Sequence, residues 1–228
     1  MFGWSGTLNI ALGFAVVGSI RDALTSGLDY DYFWLRSLAA ATSAHALGQM
    51  TSAKNDELLF LPGLLQDIGM LALDNAVKDT YSGLGKLQQD HVYIKHLERK
   101  KVNADHALVG EWLLNDWGVP KEVTELVGLS HTSNFNVDDE NFLIHQKCVY
   151  LSGYLSDCLM VDEDRKLFEA VAFLMQKELN ISMSDFISLL GHVATQFLEM
   201  ARLFDLKVEN CKQIQSVSEL ASLMLLSD

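Results

Sequence analysis

The chain has 228 residues, of which 49% are hydrophobic and 21% are charged; these values are typical of a globular protein with a substantial core and exclude a disordered chain. The formal net charge of −13 argues against a nucleic-acid-binding surface, because phosphate backbones are bound by clustered Lys and Arg. The three cysteines, Cys148, Cys158 and Cys211, are odd in number and lack a CxxC spacing, so neither a disulfide framework nor a structural zinc site is indicated.

The first apolar stretch, Leu8–Ile20, is too short to span a bilayer. It contains Asn9 and Ser19, and it lacks the basic start and the cleavage site of a signal peptide. Together with unpaired cysteines, these features predict a cytoplasmic protein without a membrane segment.

Apolar residues recur at helical spacing from Tyr30 to Met50, which predicts a first long helix. A further helix is predicted to start near Asn55, with Pro62 ahead of a short apolar helix. The helical pattern resumes at Asn103 and stops at Gly118, a residue type that commonly terminates helices.

The second half of the chain continues in the same way. Pro120 suits the first turn of the next helix, the polar segment His131–Asn141 predicts a loop, and a helix follows over about Phe142–Met160. Ser182 and Asp185 have the spacing of a capping box in front of an apolar stripe. Because no alternating strand pattern occurs, the predicted fold class is all-α.

One basic run, Lys95–Lys101, interrupts the acidic sequence. Short charge runs of this kind are usually solvated helix faces, and we expect the same here.

Four segments resemble the HDOD domains, a branch of the HD phosphohydrolase superfamily found in bacterial signalling proteins. In chain order they read "LNIALGF", "YFWLRSLAAATSAHALG", "FLPGLLQDIGMLAL" and "LERKKVNADHALVGEWLLNDWGVPKEVTELVGLSH". Each segment is a weak signal alone, but all four occur in the order and at the spacing of the family. The resemblance covers residues 8–159 and implies an HD-domain-like orthogonal helical bundle.

The resemblance also implies a domain division. Residues 1–160 would form the HDOD domain, which lacks the N-terminal helices that family members usually carry before the first matched segment. Residues 161–228 would form C-terminal helices that pack on this domain or connect it to a partner, since the last apolar helix, Ser216–Leu226, has no polar tail.

By the same resemblance, several positions of an active HD site are replaced in this chain. Such a site needs imidazoles and carboxylates around one or two divalent ions, which activate a water molecule. Arg36, a cation without a lone pair, stands at the first histidine position. Gln66 replaces the histidine of the His–Asp pair, so that only Asp67 remains, and the late aspartate falls near Gly153. The resemblance therefore implies a vestigial site without catalytic residues and without a cofactor.

Two histidines, His106 and His131, match positions that some superfamily members use for a second metal. If a metal is bound at all, its ligands would be these two histidines and Asp67, although a histidine near an apolar helix is more often a hydrogen-bonded structural residue. Asp67 would be costly to bury unpaired. A further hypothesis, motivated by the resemblance because it implies that the two side chains lie at one site, pairs Asp67 with Arg36 in the space of the metal; the alternative is that Arg36 points to solvent.

The resemblance implies a non-catalytic signalling module with a regulatory or protein-interaction role in bacterial signal transduction. Its partners would be signalling proteins or a covalently linked receiver or output domain, homo-oligomerisation is compatible with the sequence, and neither nucleic acid nor a membrane is expected. Two alternatives stay open. One is a metal-dependent phosphohydrolase with a reduced ligand set, and the other is a nucleotide-sensing domain that binds phosphate through Arg36 and the basic run near Lys100.

Overall fold

The computed structural model describes residues 27–51, 53–85, 90–160 and 164–208. Every regular element within these ranges is a helix, which confirms the all-α prediction. The elements are α1 Tyr30–Met50, a 3₁₀ helix Asp56–Leu59, α2 Phe60–Leu65, α3 Ile68–Ala76, α4 His91–Val102, α5 His106–Asp116, α6 Lys121–Leu129, α7 Glu140–Met160, α8 Arg165–Leu179 and α9 Met183–Leu203.

Two predicted segments, Leu8–Ile20 and Ser216–Leu226, lie outside the described residues, as does Cys211. None of the helices in the described ranges is long and apolar enough to cross a membrane.

Helix α1 lies at the centre of the bundle. All of its residues from Phe33 to Gly48 are buried, as is typical of a helix that is apolar around most of its circumference. It packs against α2, α7 and α9. The alanines of α1 let α2 approach closely, since a Cβ atom on Gly63 would lie 2.9 Å from the carbonyl oxygen of Ala40. This central position places Arg36, in the second turn of α1, inside the protein.

The α2–α3 segment departs from the prediction at Pro62, which is the third residue of α2 rather than a residue ahead of it. Proline is tolerated there because the first N–H groups of a helix have no partner within the helix. Helix α2 ends at Leu65 and α3 begins at Ile68. The break between them carries Gln66 and Asp67.

Helices α3 and α5 cross at Gly69. A Cβ atom on Gly69 would lie 2.0 Å from the carbonyl oxygen of His106 and 2.7 Å from the backbone nitrogen of Gly110. Only glycine permits such a close approach of two backbones. The crossing brings Asp67, two residues before Gly69, next to the start of α5.

The C-terminal described helices complete the same core. The predicted capping box is confirmed: Ser182 Oγ accepts from the backbone nitrogen of Asp185 at 3.2 Å and donates to its carboxylate at 2.6 Å. The apolar stripe of α9 is buried and packs on α1, while α8 packs on α7. The described helices beyond residue 160 therefore pack on the preceding ones, and a domain boundary at that residue stays a prediction.

Candidate functional site

Asp67 is the centre of a buried polar cluster. Its carboxylate Oδ2 atom accepts a hydrogen bond from Nη1 of Arg36, and its Oδ1 atom contacts Nε2 of His131 at 2.8 Å. Arg36 and Asp67 are both buried. The hypothesis that these two side chains meet is therefore consistent with the structure, and the alternative, a solvent-facing Arg36, is wrong.

Three histidines surround the same carboxylate oxygen. His91 Nδ1 lies 3.4 Å and His106 Nε2 lies 3.6 Å from Asp67 Oδ1, in addition to His131 at 2.8 Å. The imidazole ring centroids are 4.7 to 5.4 Å apart. Four potential ligand atoms, one from each residue, lie within 4.8 Å of one another.

His91 is absent from the residues that the sequence indicated, because it lies outside the four family-like segments. A local signal was nevertheless present. Asp90 caps α4 by accepting from the backbone nitrogen of Tyr93, and His91 is the first residue of that helix. Asp105 and His106 repeat the same Asp–His pattern at the start of α5.

Glu98 fixes the orientation of His106. Its Oε2 atom accepts from the backbone nitrogen of His106 at 2.8 Å and contacts His106 Nδ1 at 2.7 Å, while Tyr81 donates its hydroxyl to Oε1 at 2.6 Å. Because a carboxylate only accepts hydrogen bonds, the proton of the His106 ring belongs on Nδ1. In the neutral ring, the other nitrogen, Nε2, then presents its lone pair to the cluster.

The prediction that the basic run is a solvated helix face is wrong for Lys95 and Glu98. Lys100 and Lys101 are exposed, as expected of a solvated face. Lys95, however, donates to the carbonyl oxygen of His131 at 2.7 Å, and Glu98 is fully buried. One face of α4 therefore points into the cluster, which a count of charges cannot reveal.

Arg36 has a second carboxylate partner, Asp157 on α7. The Nε atom of Arg36 donates to Asp157 Oδ1 at 2.9 Å, and Nη2 donates to the carbonyl oxygen of Gly153 at 3.4 Å. Asp157 lies one helical turn beyond Gly153, the position where the resemblance located the late aspartate. Sequence reasoning missed Asp157 for that reason.

Gln66 and Gly153 lie at the edge of the cluster. The side-chain nitrogen of Gln66 donates to the carbonyl oxygen of Gly63 at 3.0 Å. A Cβ atom on Gly153 would lie 3.3 Å from Gln66 Oε1 and 3.6 Å from Arg36 Nη2. The structure thus brings together all six residues that the resemblance assigned to one site: Arg36, Gln66, Asp67, His106, His131 and Gly153.

The electrostatics of the cluster favour an ionised Asp67. Burial alone would raise the pKa of Asp67, but the permanent charge of Arg36 and the hydrogen bond from His131 outweigh burial and hold the pKa well below its ordinary value. Helices α3, α4 and α5 also begin at the cluster, and their N-terminal dipole ends favour negative charge.

The pKa values of the three imidazoles are shifted in different directions. Burial lowers the pKa of His131 to about 4, although the hydrogen bond to Asp67 acts in the opposite direction. Burial and the charge of Arg36 lower the pKa of His91 well below its usual value. Burial also lowers the pKa of His106, but the contact with Glu98 outweighs burial and raises this pKa above its ordinary value. His91 and His131 are therefore neutral at pH 7.

A cavity of about 820 Å³ opens above the cluster. Its lining includes Arg36, His91 and His131 at the cluster and Tyr150 and Tyr154 on α7.

The cations at the mouth of this cavity already have partners. Nη2 of Arg99 lies 2.7 Å from Oδ2 of Asp105 and Lys95 Nζ lies 4.0 Å from the same atom. Asp90, Asp157 and Asp164 also line the cavity, so its electrostatic character is mixed.

The helical bundle, with an aspartate and histidines converging from the starts of three helices and from the residues after α6, is that of an HD-domain-like protein. The family model of the HDOD domain matches residues 1–133, which is more than half of the sequence. The chain belongs to the HDOD family.

Solved structures agree with this assignment. The MmoQ response regulator from Methylococcus capsulatus str. Bath is 25% identical with a TM-score of 0.55, over 72% of this chain and 62% of its own length. A protein from Shewanella amazonensis SB2B, provisionally named a phosphohydrolase, is 18% identical with a TM-score of 0.63, over 92% of this chain and 72% of its own. An HDOD domain protein of unknown function from Geobacter sulfurreducens is 14% identical with a TM-score of 0.62, over 86% and 69%.

The last two likenesses show the fold alone. The chain spans less than two thirds of the MmoQ structure, and no curated protein matches the sequence.

Proposed function

We propose that this chain is a non-catalytic HDOD signalling module with a regulatory or protein-interaction role in bacterial signal transduction. The observation that carries the proposal is the position of Arg36, whose guanidinium group lies between Asp67 and Asp157. A hydrolytic metal site must keep a coordination position for water or substrate and must bring metal and reacting atoms together. In this protein the permanent cation Arg36 binds one carboxylate oxygen of Asp67, the aspartate that would bridge the metal ions of an active site.

The chemistry of the neighbouring side chains supports the same proposal. Gln66 offers a neutral amide in place of an imidazole, and its nitrogen is engaged by the carbonyl oxygen of Gly63. Amide oxygens are poor ligands for the transition metals that imidazoles bind well. The buried part of the site therefore lacks the ligands for a pair of metal ions that would activate water.

The signalling role is supported by family membership and by the similarity to the MmoQ response regulator. Partners of the expected kind are signalling proteins, or a receiver or output domain joined to the same chain.

A metal-dependent phosphohydrolase is the second candidate function, and one observation favours it. Asp67, His106 and His131 converge as the reduced ligand set requires, and His91 joins them. A nucleotide-sensing role has weaker support, because Arg36, Lys95 and Arg99 all contact carboxylates already, and a phosphate would have to compete with these partners.

Hydrolysis assays separate the two candidates. The full chain is incubated with Mn²⁺, Fe²⁺ or Zn²⁺ and with bis(p-nitrophenyl) phosphate and cyclic dinucleotides, and the Asp67→Asn variant is assayed in parallel. We expect the two proteins to give the same background rate. Turnover by the wild type that is lost in Asp67→Asn would overturn the non-catalytic proposal.

Nucleotide binding is tested by thermal unfolding with mononucleotides and cyclic dinucleotides, since a ligand that binds only the native state raises its Tm. We expect no shift. A rise in Tm that disappears in an Arg99→Gln variant would support the nucleotide-sensing role instead.

A further inference from the structure

Four side-chain atoms in the Asp67 cluster have the separations of ligands around one metal ion. In a tetrahedral site with metal–nitrogen and metal–oxygen distances of about 2.0–2.1 Å, neighbouring ligand atoms lie about 3.3–3.4 Å apart. Nε2 of His131, Nδ1 of His91 and Nε2 of His106 lie 2.8, 3.4 and 3.6 Å from Asp67 Oδ1. The remaining separations reach at most 4.8 Å, so an ion would need only small ring movements to contact all four atoms.

Two of these atoms lack any other role in the described structure. Nδ1 of His91 and Nε2 of His106 are buried and make no hydrogen bond. A buried polar atom without a partner is costly, and most such atoms in native proteins are explained by a bound water, an ion or a functional role. Both atoms point at Asp67 Oδ1, which is the oxygen that Arg36 does not engage.

Outer partners orient the ligands as in known metal sites. Metal-binding histidines usually donate their second ring N–H to a carboxylate, which fixes the tautomer. Glu98 holds His106 in this way through Nδ1, at 2.7 Å. Arg36 binds Asp67 through Oδ2 and leaves Oδ1 for the ion, so the ion pair and a metal are compatible.

We infer that Asp67, His91, His106 and His131 form a closed, four-ligand site for one divalent transition metal ion of the zinc class. Three imidazoles and one carboxylate suit zinc, cobalt or nickel and disfavour magnesium and calcium, which prefer oxygen ligands. This ligand set differs from the one that the resemblance implied, because it includes His91 as a fourth ligand.

The four protein ligands leave no position for water on a tetrahedral ion, and closed sites of this kind are structural rather than hydrolytic. The inferred site would therefore link metal availability to the stability of the bundle. It goes beyond the proposed signalling function and does not depend on it.

The test uses the full chain, stripped of metal and titrated with Co²⁺ and with Zn²⁺. Co²⁺ in a four-coordinate site absorbs visible light much more strongly than six-coordinate Co²⁺, so the spectrum reports the coordination number. We expect one ion per chain, the intense spectrum, and a Tm that rises by about 5–10 °C at a free Zn²⁺ concentration 100 times Kd.

The decisive variant is His91→Phe, which keeps a ring of similar size and removes the lone pair. Its matched control is His96→Phe, since His96 is an exposed histidine on the same helix that also lines the cavity. We expect His91→Phe to weaken Co²⁺ binding at least 10-fold, and we expect His96→Phe to bind as the wild type does. Far-UV circular dichroism checks the helix content of each variant, and His91→Ala replaces His91→Phe if the larger ring unfolds the chain.

The outcomes for this site and for the proposed function are distinguishable. Failure of the wild type to bind either ion at 1:1 stoichiometry, or equal affinity in His91→Phe, overturns the metal site and leaves the non-catalytic proposal unaffected. A weak, six-coordinate Co²⁺ spectrum overturns the closed coordination. Metal binding accompanied by phosphodiester hydrolysis overturns both the closed site and the non-catalytic proposal.

Discussion

Arg36 and Asp67 form an ion pair in the interior of the bundle, where their side chains are 4% and 2% exposed. The two residues are 31 positions apart in the sequence, one in the second turn of α1 and the other in the break between α2 and α3. Asp157 joins them from α7, so one guanidinium group links three parts of the chain. Removal of any one of these buried charges would leave its partners without a counter-charge in the interior of the protein.

Removing Arg36 should therefore destabilise the fold. The Arg36→Met variant retains most of the side-chain volume but leaves Asp67 buried without its cation, and loss of one partner of a buried pair typically costs about 3–5 kcal/mol. Urea unfolding of the two proteins at pH 7 measures the difference.

The matched control is Arg165→Met, which removes an exposed arginine paired with Glu169. It should change the free energy of unfolding by about 0.5 kcal/mol or less. Equal effects of the two substitutions would contradict the central role of the Arg36–Asp67 pair.

His131 should make the stability depend on pH in mildly acidic solution. Its pKa is lowered to about 4 in the folded protein, whereas an unfolded histidine titrates near 6.5. Between these values the unfolded chain binds more protons, so stability falls as the pH falls from about 6.5 to about 4. The contribution of this residue is of the order of 3 kcal/mol.

Unfolding in urea at pH 7.5, 6 and 5 tests this effect in the wild type and in His131→Asn. Because His91 acts in the same direction and His106 in the opposite one, the informative quantity is the difference between the two proteins. The wild type should lose more stability than the variant as the pH falls. Parallel pH profiles would show that His131 does not titrate as described.

Gly69→Ala should separate α3 from α5. The added methyl group would lie 2.0 Å from the carbonyl oxygen of His106, and backbone atoms of a packed helix cannot move aside as a flexible side chain can. We expect a destabilisation of about 1–3 kcal/mol or more from overpacking.

A contrasting substitution is Gly191→Ala in α9, where a Cβ atom would meet nothing within 4 Å. Alanine is favoured over glycine inside a helix by about 1 kcal/mol, so this variant should be as stable as the wild type or more stable. Thermal unfolding of both variants checks the prediction, which fails if Gly69→Ala is tolerated equally well.

Glu98→Gln should lower the pKa of His106. Burial lowers this pKa and the contact with Glu98 raises it above the ordinary value, so a neutral amide at position 98 leaves burial as the main influence. NMR titration of the histidine rings in the metal-free protein measures the shift. At the inferred metal site, the same variant should bind Zn²⁺ about 10–100-fold more weakly than the wild type does, as is usual when an outer partner of a ligand is lost.

The sequence by itself determined the helices and much of the location of the site. Helical spacing predicted α1 and α9, and the Ser182–Asp185 cap confirmed the start of α9 because capping involves residues only three positions apart. The four family-like segments identified residues that the fold brings together. The pairing of Asp67 with Arg36 was a hypothesis that rested on the same resemblance, because burial cost alone names no partner for Asp67.

Only the tertiary structure decided how the site is completed. Asp157 reaches Arg36 across 121 positions of the sequence, and His91 meets Asp67 because α4 begins beside the break between α2 and α3. Glu98 lies in a basic run that resembles a solvated face, yet packing turns it inwards to His106. Periodicity and capping depend on neighbours within one helical turn, whereas the contacts of a buried charge depend on how distant helices pack.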